Sequence, residues 1–323
     1  GLLAQIAVDK YCDHLPIYRQ GQRFSRQDVP IPESTLGQWM MSLAGLLTPL
    51  YEALEAKVLQ GNKYLQIDET PIKVQEPAKK GKTHQGYFWA TNSPTEKVVI
   101  FRYSPSRSGQ LLEDLLKDWE GTVQSDGYQV YKQLPGRITS AFCWAHARRY
   151  FEKALDNDRQ RAEAVLKKIQ ELYKIEEQAR RQELSPPQRL ALREEEAIPV
   201  LESLGEMLKG MELEILPKSS IGRAVRYTLE HWDGLIAYSK NGILEIDNNL
   251  VENAIRPLAL GRKNYLFAGS HKAAQKAAIF YSLFGTVKMQ GLNPLEWLRG
   301  FLEQISIEDK LSSLDIEALL PLK

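Results

Sequence analysis

The sequence predicts a mixed α/β fold: a mixed sheet with a large all-helical insertion after its strands, an N-terminal helical segment and C-terminal helices. Three observations support this prediction. Residues 1–60 carry helical periodicity, strand-like segments begin at Lys63, and residues 150–240 carry helical periodicity with no strand pattern. With 43% hydrophobic residues among 323, the chain has enough apolar material for a large core.

The composition excludes several classes of protein. Lys and Arg number 42 against 41 Asp and Glu, so the chain is neither disordered nor a polycation, and a nucleic-acid site must use locally concentrated charge. The two cysteines, Cys12 and Cys143, lie far apart, which favours a reduced cytoplasmic setting over a secreted disulfide scaffold.

No segment reads as a membrane span or a signal peptide. The apolar stretch Leu36–Tyr51 is shorter than the roughly 18 residues that a span needs, and no basic segment precedes an apolar core. We therefore expect no membrane partner. The chain begins at Gly1 rather than Met, which suggests a fragment or a tag remnant.

The N-terminal 60 residues read as helices around a basic segment. Leu2–Tyr11 is amphipathic, and Ile17–Arg26 places three arginines close to one helical face. Asp28–Pro32 breaks the pattern, and Ser34 is a suitable N-cap for the next helix. This arrangement fits a helix-turn-helix DNA-binding segment and a plain helical hairpin equally well.

Five strand candidates follow, with a helix predicted over Ser108–Trp119 between the third and the fourth. Three consecutive strands, a helix, a strand, a short helix and a strand give the order of an RNase H-like sheet. The candidates are Tyr64–Thr70, Gly86–Thr91, Lys97–Tyr103, Gly121–Gly127 and Ile138–Trp144.

Helices are predicted for most of the rest. Within the insertion, Tyr150–Glu183 forms one long charged helix whose charges face solvent, and Gln188–Lys209 and Ser219–Lys240 follow it. Asp247–Asn249 supplies caps for a helix that Pro257 ends or kinks. Two C-terminal helices cover Lys272–Met289 and Pro294–Ile305, and the predicted segments are 1–60, 61–149, 150–240, 241–290 and 291–323.

Three acidic residues are the candidate catalytic groups. Asp68 and Asp126 occupy strand positions at which burial favours apolar side chains, and the first and fourth strands of an RNase H-like sheet are neighbours. Glu252, on a later helix, would complete the cluster. Three carboxylates suit Mg²⁺ or Mn²⁺, and two such ions about 3.5–4 Å apart would activate a water or a 3′-hydroxyl in phosphodiester chemistry. The alternative for each acid alone is a strand-end or helix-face position.

Cys143 and His146 have the spacing of half a zinc site, but the remaining ligands are absent. We expect His146 at the end of the fifth strand, where it would contact the scissile phosphate or orient a neighbouring group. The alternative is that both residues are simply buried.

Several cations are candidate DNA-backbone ligands. Arg256 lies four residues after Glu252 and so shares its helical face, where it would bind a phosphate. Its alternative is an ion pair with Asp247 or Glu245, and the alternative for each other cation is solvation. The others are Arg148, Arg149, Arg262, Lys263 and Lys272.

Six segments occur together in one known family. They are His14–Gln20, Gln66–Thr70, Ser125–Tyr128, Cys143–Arg149, Asn248–Pro257 and Gly261–Ser270. On these segments the chain resembles bacterial transposases of the insertion-sequence-66 family, which are recombinases of the DDE type. The resemblance implies Asp68, Asp126 and Glu252 as catalytic acids and metal ligands, and a helical insertion between the second and the third.

The resemblance also places Cys143 and His146 in a Cys-x-x-His feature of unassigned role. The family's leucine-rich helical and Cys-rich zinc-binding segments, which lie further upstream, are not in this sequence, so we expect a truncated chain.

The function expected from the residues and the resemblance is metal-dependent DNA cleavage that exposes a 3′-hydroxyl, followed by attack of that hydroxyl on target DNA. The expected partners are terminal inverted repeats, target DNA, further copies of the chain and element-encoded accessory proteins. Two alternatives stay open: an RNase H-like nuclease or resolvase, and a truncated or domesticated transposase that only binds DNA. The three intact acids argue against the second.

Overall fold

The computed structural model describes residues 1–76, 81–307 and 315–322. These residues form two compact units, one made of residues 1–119 and 250–323 and the other of residues 120–249. Both units contain helices and strands, which confirms the mixed α/β class. Across the described ranges, every helix is too short or too polar to cross a bilayer.

The first unit begins with helices and continues into an antiparallel sheet. Strand β2 pairs with β1 and β3, and Asp68 lies opposite Ala90 in the register of β1 and β2. The elements up to residue 119 are α1 Leu2–Tyr11, α2 Ile17–Ser25, α3 Glu33–Gly61, β1 Tyr64–Gln75, β2 Thr83–Ser93, β3 Val98–Ser104 and α4 Gln110–Leu115.

The second unit contains two parallel strands followed by helices only, in its described residues. A π-helical turn over Arg193–Ala197 joins its third and fourth helices, and 3₁₀ turns cover Gln129–Gln133 and Ala237–Lys240. The elements are β4 Gly121–Ser125, β5 Ile138–Phe142, α5 Trp144–Glu152, α6 Arg159–Arg181, α7 Pro186–Leu192, α8 Ile198–Glu214, α9 Ser220–Glu230 and α10 Trp232–Ile236.

Three helices complete the first unit: α11 Asn249–Tyr265, α12 His271–Met289 and α13 Pro294–Ile307. Helix α12 covers the outer edge of β3. Its Ser282 Oγ accepts the N–H of Phe101 at 2.7 Å, and its Thr286 Oγ1 accepts the N–H of Val99 at 3.2 Å. These bonds satisfy edge groups that would otherwise pair with another chain.

Four sequence predictions about helix limits are wrong. The predicted helix Ser219–Lys240 is α9, α10 and a 3₁₀ turn, because α9 ends at Glu230 with His231 as its C-cap. The predicted helix Tyr150–Glu183 is two helices, because Asp158 caps α6 by accepting the N–H of Arg161 at 3.2 Å. Helix α3 begins at Glu33, so Ser34 is inside it and is not the cap. Pro257 neither ends nor interrupts α11, which continues to Tyr265 because its buried face packs on the unit along its length.

The sequence had predicted that the charges of the insertion face solvent, but some of them are buried. Glu176 and Arg193 are fully buried, and the Arg193 guanidinium donates to both Glu176 oxygens at 2.7 and 2.8 Å. Arg193 also donates to the carbonyls of Tyr238, Asn241 and Leu244. A buried charge is tolerated here because each donor and acceptor has a partner.

Candidate active site

Asp68 lies half-buried in β1, and its carboxylate is oriented by its own strand. Its Oδ1 accepts the N–H of Glu69 at 2.8 Å. The next side chain along, Glu69, is bound by the guanidinium of Arg107, whose Nε lies 2.7 Å from Oε1. The strand therefore presents two adjacent acids, and Arg107 pairs with the second of them, Glu69.

Gln66 joins the strand of Asp68 to the helix of Glu252. Its buried side chain lies on the same face of β1 as Asp68, two residues earlier. Its Oε1 accepts the N–H of Val251 at 3.2 Å, in the first turn of α11. Because Val251 directly precedes Glu252, this bond satisfies a helix-end donor and fixes the start of the helix that carries the third acid.

Arg262 makes a second connection between the same two elements. Its Nη1 donates to Thr70 Oγ1 and to the carbonyl of Pro71, both at 2.6 Å. Helix α11 rises about 16 Å from Val251 to Arg262, and β1 covers about 16 Å from Gln66 to Pro71. The helix therefore runs beside the strand, and the two connections bracket Asp68 on one element and Glu252 on the other.

Asp126 is the first residue after β4, whereas the sequence had predicted it within the strand. Its Oδ1 accepts the N–H of Tyr128 at 2.8 Å, which closes a turn over Gly127. Gly127 has φ +81°, and a Cβ there would lie 2.7 Å from Cδ2 of His231. Glycine is required because the backbone is left-handed and the imidazole occupies the adjoining space.

An aromatic stack of the insertion holds this turn. The Tyr227 hydroxyl donates to the carbonyl of Asp126 at 2.8 Å, and His231 Nε2 lies 3.3 Å from the carbonyl of Gly127. The Tyr227 ring stacks on His231 and on Tyr150, each with centroids 4.3 Å apart. Burial raises the pKa of Tyr227 well above its ordinary value, with the Asp126 charge acting in the same direction. Its hydroxyl therefore remains a donor at neutral pH.

Cys143 and His146 belong to the start of α5. His146 lies in the first turn of the helix and not at the end of β5, which stops at Phe142, so that prediction is wrong. The cause is that the Trp144 N–H turns away to donate to the carbonyl of Ile246 at 3.2 Å. Cys143 is fully buried, and its Sγ accepts the N–H of Asn248 at 3.5 Å.

The predicted DNA-binding cations occupy different settings. Arg256 is exposed on α11, and no ion pair in the described part of its own unit includes it. Asp247 and Glu245, its suggested partners, are bonded to Tyr173 and to Arg189, respectively. Lys263 and Lys272 are exposed, Arg149 is exposed, and Arg148 pairs with Glu152 at 3.0 Å.

The donor set suits a hard divalent cation, since carboxylate oxygens are the ligands that Mg²⁺ and Mn²⁺ prefer. Taken separately over its described residues, neither unit groups three His, Cys, Asp or Glu side chains as metal ligands. Asp68 and Glu252 belong to one unit and Asp126 to the other, so the metal site stays a prediction.

Sequence reasoning missed the residues that position the acids. Gln66 carried a signal, because it is a polar residue in a buried strand and on the face of Asp68. Tyr227 and His231 carried none, since they lie about a hundred residues from Asp126 on helical segments of ordinary pattern.

Comparisons with known proteins agree with the motifs. The family described as "Transposase IS66 family" matches residues 1–276. Three relatives from Sinorhizobium fredii (strain NBRC 101917 / NGR234) are similar to the chain, and each is named only as an uncharacterized protein. The proteins y4jD and y4qI are 34% and 33% identical over 99% of this chain, and y4hP is 31% identical over 94%.

This chain spans 65%, 61% and 59% of the lengths of those relatives, respectively. The family match extends through β1 with Asp68, the turn of Asp126 and helix α11 with Glu252. The chain belongs to the IS66 family of transposases.

Proposed function

We propose that the chain is a DDE transposase that cleaves DNA at the ends of an insertion sequence and joins the freed 3′-hydroxyl to target DNA. Asp68, Asp126 and Glu252 would hold Mg²⁺ or Mn²⁺ on an RNase H-like core, in which the helical insertion separates the last strand from the helix of Glu252. Family membership supports a DNA-processing role. The whole protein's partners, including further copies and accessory proteins, belong to the same proposal.

One observation carries the catalytic part of this proposal. The bonds from Val251 to Gln66 and from Arg262 to Thr70 fasten α11 along β1, with Glu252 and Asp68 lying between them. A helix fixed at two points keeps a carboxylate within the small tolerance that metal and substrate geometry requires.

The chain's own residues have separate tasks in this proposal. Asp68, Asp126 and Glu252 supply anionic oxygen ligands. Gln66 positions Glu252 by accepting the N–H of the preceding residue, Val251, and Tyr227 positions Asp126 by donating to its carbonyl. Arg256 binds the phosphate beside the scissile bond, where its two-pronged guanidinium matches two oxygens. When bound, the divalent ions would lower the pKa of the attacking hydroxyl group and stabilise the leaving oxygen.

The test is a strand-transfer assay on oligonucleotides that carry the element's own end sequence, supplied both uncut and pre-cleaved. Asp68→Asn, Asp126→Asn and Glu252→Gln should each lower cleavage and transfer at least a hundredfold, because each removes a charged ligand. Asp118→Asn and Glu113→Gln are the matched controls, since both side chains are exposed on and after α4. Both controls should retain wild-type rates.

The pre-cleaved substrate separates the alternatives. Transfer by the wild type supports the proposal, whereas acid-dependent cleavage without any transfer indicates a nuclease or resolvase. Binding of the ends with neither reaction, at saturating Mg²⁺ or Mn²⁺, indicates a protein that only binds DNA. Titration of Mg²⁺ by calorimetry gives an independent readout, and binding that survives all three substitutions would contradict the assigned ligands.

A further inference from the structure

A groove of about 650 Å³ opens on the first unit beside the C-terminal end of α11. Its volume lies within the range of roughly 300–1,000 Å³ that ligand sites occupy. Strands β1 and β2 form one wall, and the end of α11 and the residues after it form the other. We call it the basic groove, and it is lined by Pro71, Ile72, Lys73, Thr83, Gln85, Arg262, Lys263, Leu266 and Phe267.

Two large apolar side chains are exposed in the basic groove. Leu266 is 64% exposed and Phe267 is 41% exposed. Leu266 also has φ +63°, a left-handed conformation that costs a leucine about 1 kcal/mol or more. Neither burial nor backbone preference within the described chain explains a leucine at this position.

The backbone beneath these side chains is held rigidly. The Ala268 N–H donates to the carbonyl of Lys73, and the Ala268 carbonyl accepts the N–H of Gln75, both at 2.8 Å. This parallel bridge attaches the segment to the edge of β1. Leu266 and Phe267 are therefore presented on a fixed support, as a surface for stacking requires.

The charge of the basic groove is positive only. Lys73, Arg262 and Lys263 line it, and no Asp or Glu stands among the residues that the structure describes there. Arg262 is held by two hydrogen bonds that Nη1 donates to Thr70 and Pro71, and neither bond uses Nη2 or Nε. An arginine fixed in this way can bind a phosphate at little cost in side-chain entropy.

We propose that the basic groove binds unpaired DNA, with a base stacked on Phe267, Leu266 wedged against its neighbour, and the backbone phosphates on Lys73, Arg262 and Lys263. Cations beside an exposed aromatic ring suit single-stranded nucleic acid, because every base offers a flat face and every nucleotide a phosphate. A second copy of the chain would need an acidic apolar surface to fill the same groove. The proposal rests on the proposed function, since it names the form of DNA that the transposase engages there.

The test measures binding of a single-stranded oligonucleotide of about 12 nucleotides, within known site sizes for such proteins, and of the matching duplex. One adenine is replaced by 2-aminopurine, whose fluorescence falls when it stacks on an aromatic ring. Phe267→Ala should weaken single-strand binding about five- to a hundredfold and abolish the fluorescence change. Phe267→Tyr should restore both, and Leu213→Ala, which removes a 90% exposed leucine from α8, is the matched control.

Lys263→Ala should lower the slope of log affinity against log salt by about 0.7, the value for one phosphate of a single strand. Phe267→Ala should leave that slope unchanged. Unchanged single-strand binding by Phe267→Ala, or equal losses on single strand and duplex, would overturn the proposal. So would a shift of the wild type's oligomeric state in Phe267→Ala, measured by sedimentation without DNA, since it would assign the surface to a second copy.

The outcome is distinguishable from failure of the proposed function. If Asp68→Asn binds the oligonucleotide as the wild type does but does not cleave, the groove and the catalytic acids are separate. If Phe267→Ala binds normally while the wild type cleaves and transfers, the groove proposal is wrong and the function stands. Should Phe267→Ala unfold, Phe267→Leu keeps the apolar volume without the aromatic face, and retention of the 2-aminopurine signal by that variant would contradict stacking.

Discussion

The Tyr227 hydroxyl donates a 2.8 Å hydrogen bond to the main-chain carbonyl of Asp126. A helix of the insertion, α9, thus holds the turn that carries a predicted catalytic acid. The contact gives the insertion a part in positioning Asp126, in addition to its own packing.

Tyr227→Phe removes that hydrogen bond and retains the stack with Tyr150 and His231. We expect the free energy of unfolding to fall by about 1 kcal/mol, the usual cost of one such bond. The rate of DNA cleavage should fall several-fold more than the change in the folded fraction accounts for. The Mg²⁺ concentration for half-maximal rate should rise. Urea unfolding and metal titration of the cleavage rate provide the measurements.

Tyr18→Phe is the control for this prediction. Tyr18 is 56% exposed, and its hydroxyl accepts only from Gln22 on the same helix among the described residues. If Tyr227→Phe leaves both the unfolding energy and the metal dependence at the values of Tyr18→Phe, Tyr227 does not position Asp126.

Gly127→Ala should destabilise the protein by about 1–3 kcal/mol. The added Cβ meets His231 at 2.7 Å, and the imidazole cannot retreat because it stacks on Tyr227. Gly210→Ala should instead raise the free energy of unfolding by about 0.5–1 kcal/mol. That glycine is inside α8, and a Cβ there would have nothing within 4 Å. Thermal and urea unfolding of both variants check the contrast, and equal signs would refute it.

The buried Glu176 carboxyl makes stability depend on acid pH. Burial acts to raise its pKa, but the hydrogen bonds and charges of Arg193 and Arg189 outweigh burial and hold the pKa below its ordinary value of 4.5. A folded-state pKa below the unfolded one contributes stability that is present above pH 4.5 and is lost as the pH falls through the folded value. We therefore expect the unfolding free energy to decline below that pH.

Glu176→Gln identifies the source of the decline. It should cost about 3–5 kcal/mol at neutral pH, because the fully buried guanidinium of Arg193 loses its counter-charge, while Arg189 keeps Glu245. The unfolding free energy of this variant should then fall less steeply in acid than that of the wild type. Glu177→Gln is the neighbouring control, since that exposed pair with Arg181 contributes under about 1 kcal/mol. Urea unfolding across the acid range should give parallel plots of unfolding free energy against pH for Glu177→Gln and the wild type. A plot for Glu176→Gln that is also parallel to the wild type would exclude the mechanism.

Arg256→Ala should lower DNA cleavage about ten- to a hundredfold while leaving the free energy of unfolding within about 0.5 kcal/mol. The residue is exposed, and no partner in the described part of its own unit depends on it. Arg256→Lys should recover only part of the rate, because a single ammonium cannot bind two oxygens side by side. If Arg256→Ala cleaves DNA at the wild-type rate at matched salt, Arg256 does not belong to the site. Arg299→Ala, an exposed arginine of α13, should show no effect.

Local patterns were enough to find most elements of the fold. Alternating and helical periodicity located β1, β2 and β3 and the helices α1, α12 and α13, because those signals depend on near neighbours along the chain. The family motifs named Asp68, Asp126 and Glu252 for the same reason, since residues of one motif are adjacent in sequence. Metal binding and catalysis by these acids stay predictions.

The sequence by itself determined the mixed α/β class, the family and the candidate acids. Only the tertiary structure decided that α11 passes through Pro257, that Glu176 and Arg193 are buried together, and that Tyr227 supports Asp126. Each of these depends on groups that are distant along the chain or on packing that outweighs local preference. Contacts of this kind leave no local pattern in the sequence, because they stabilise the protein only once distant segments have folded together.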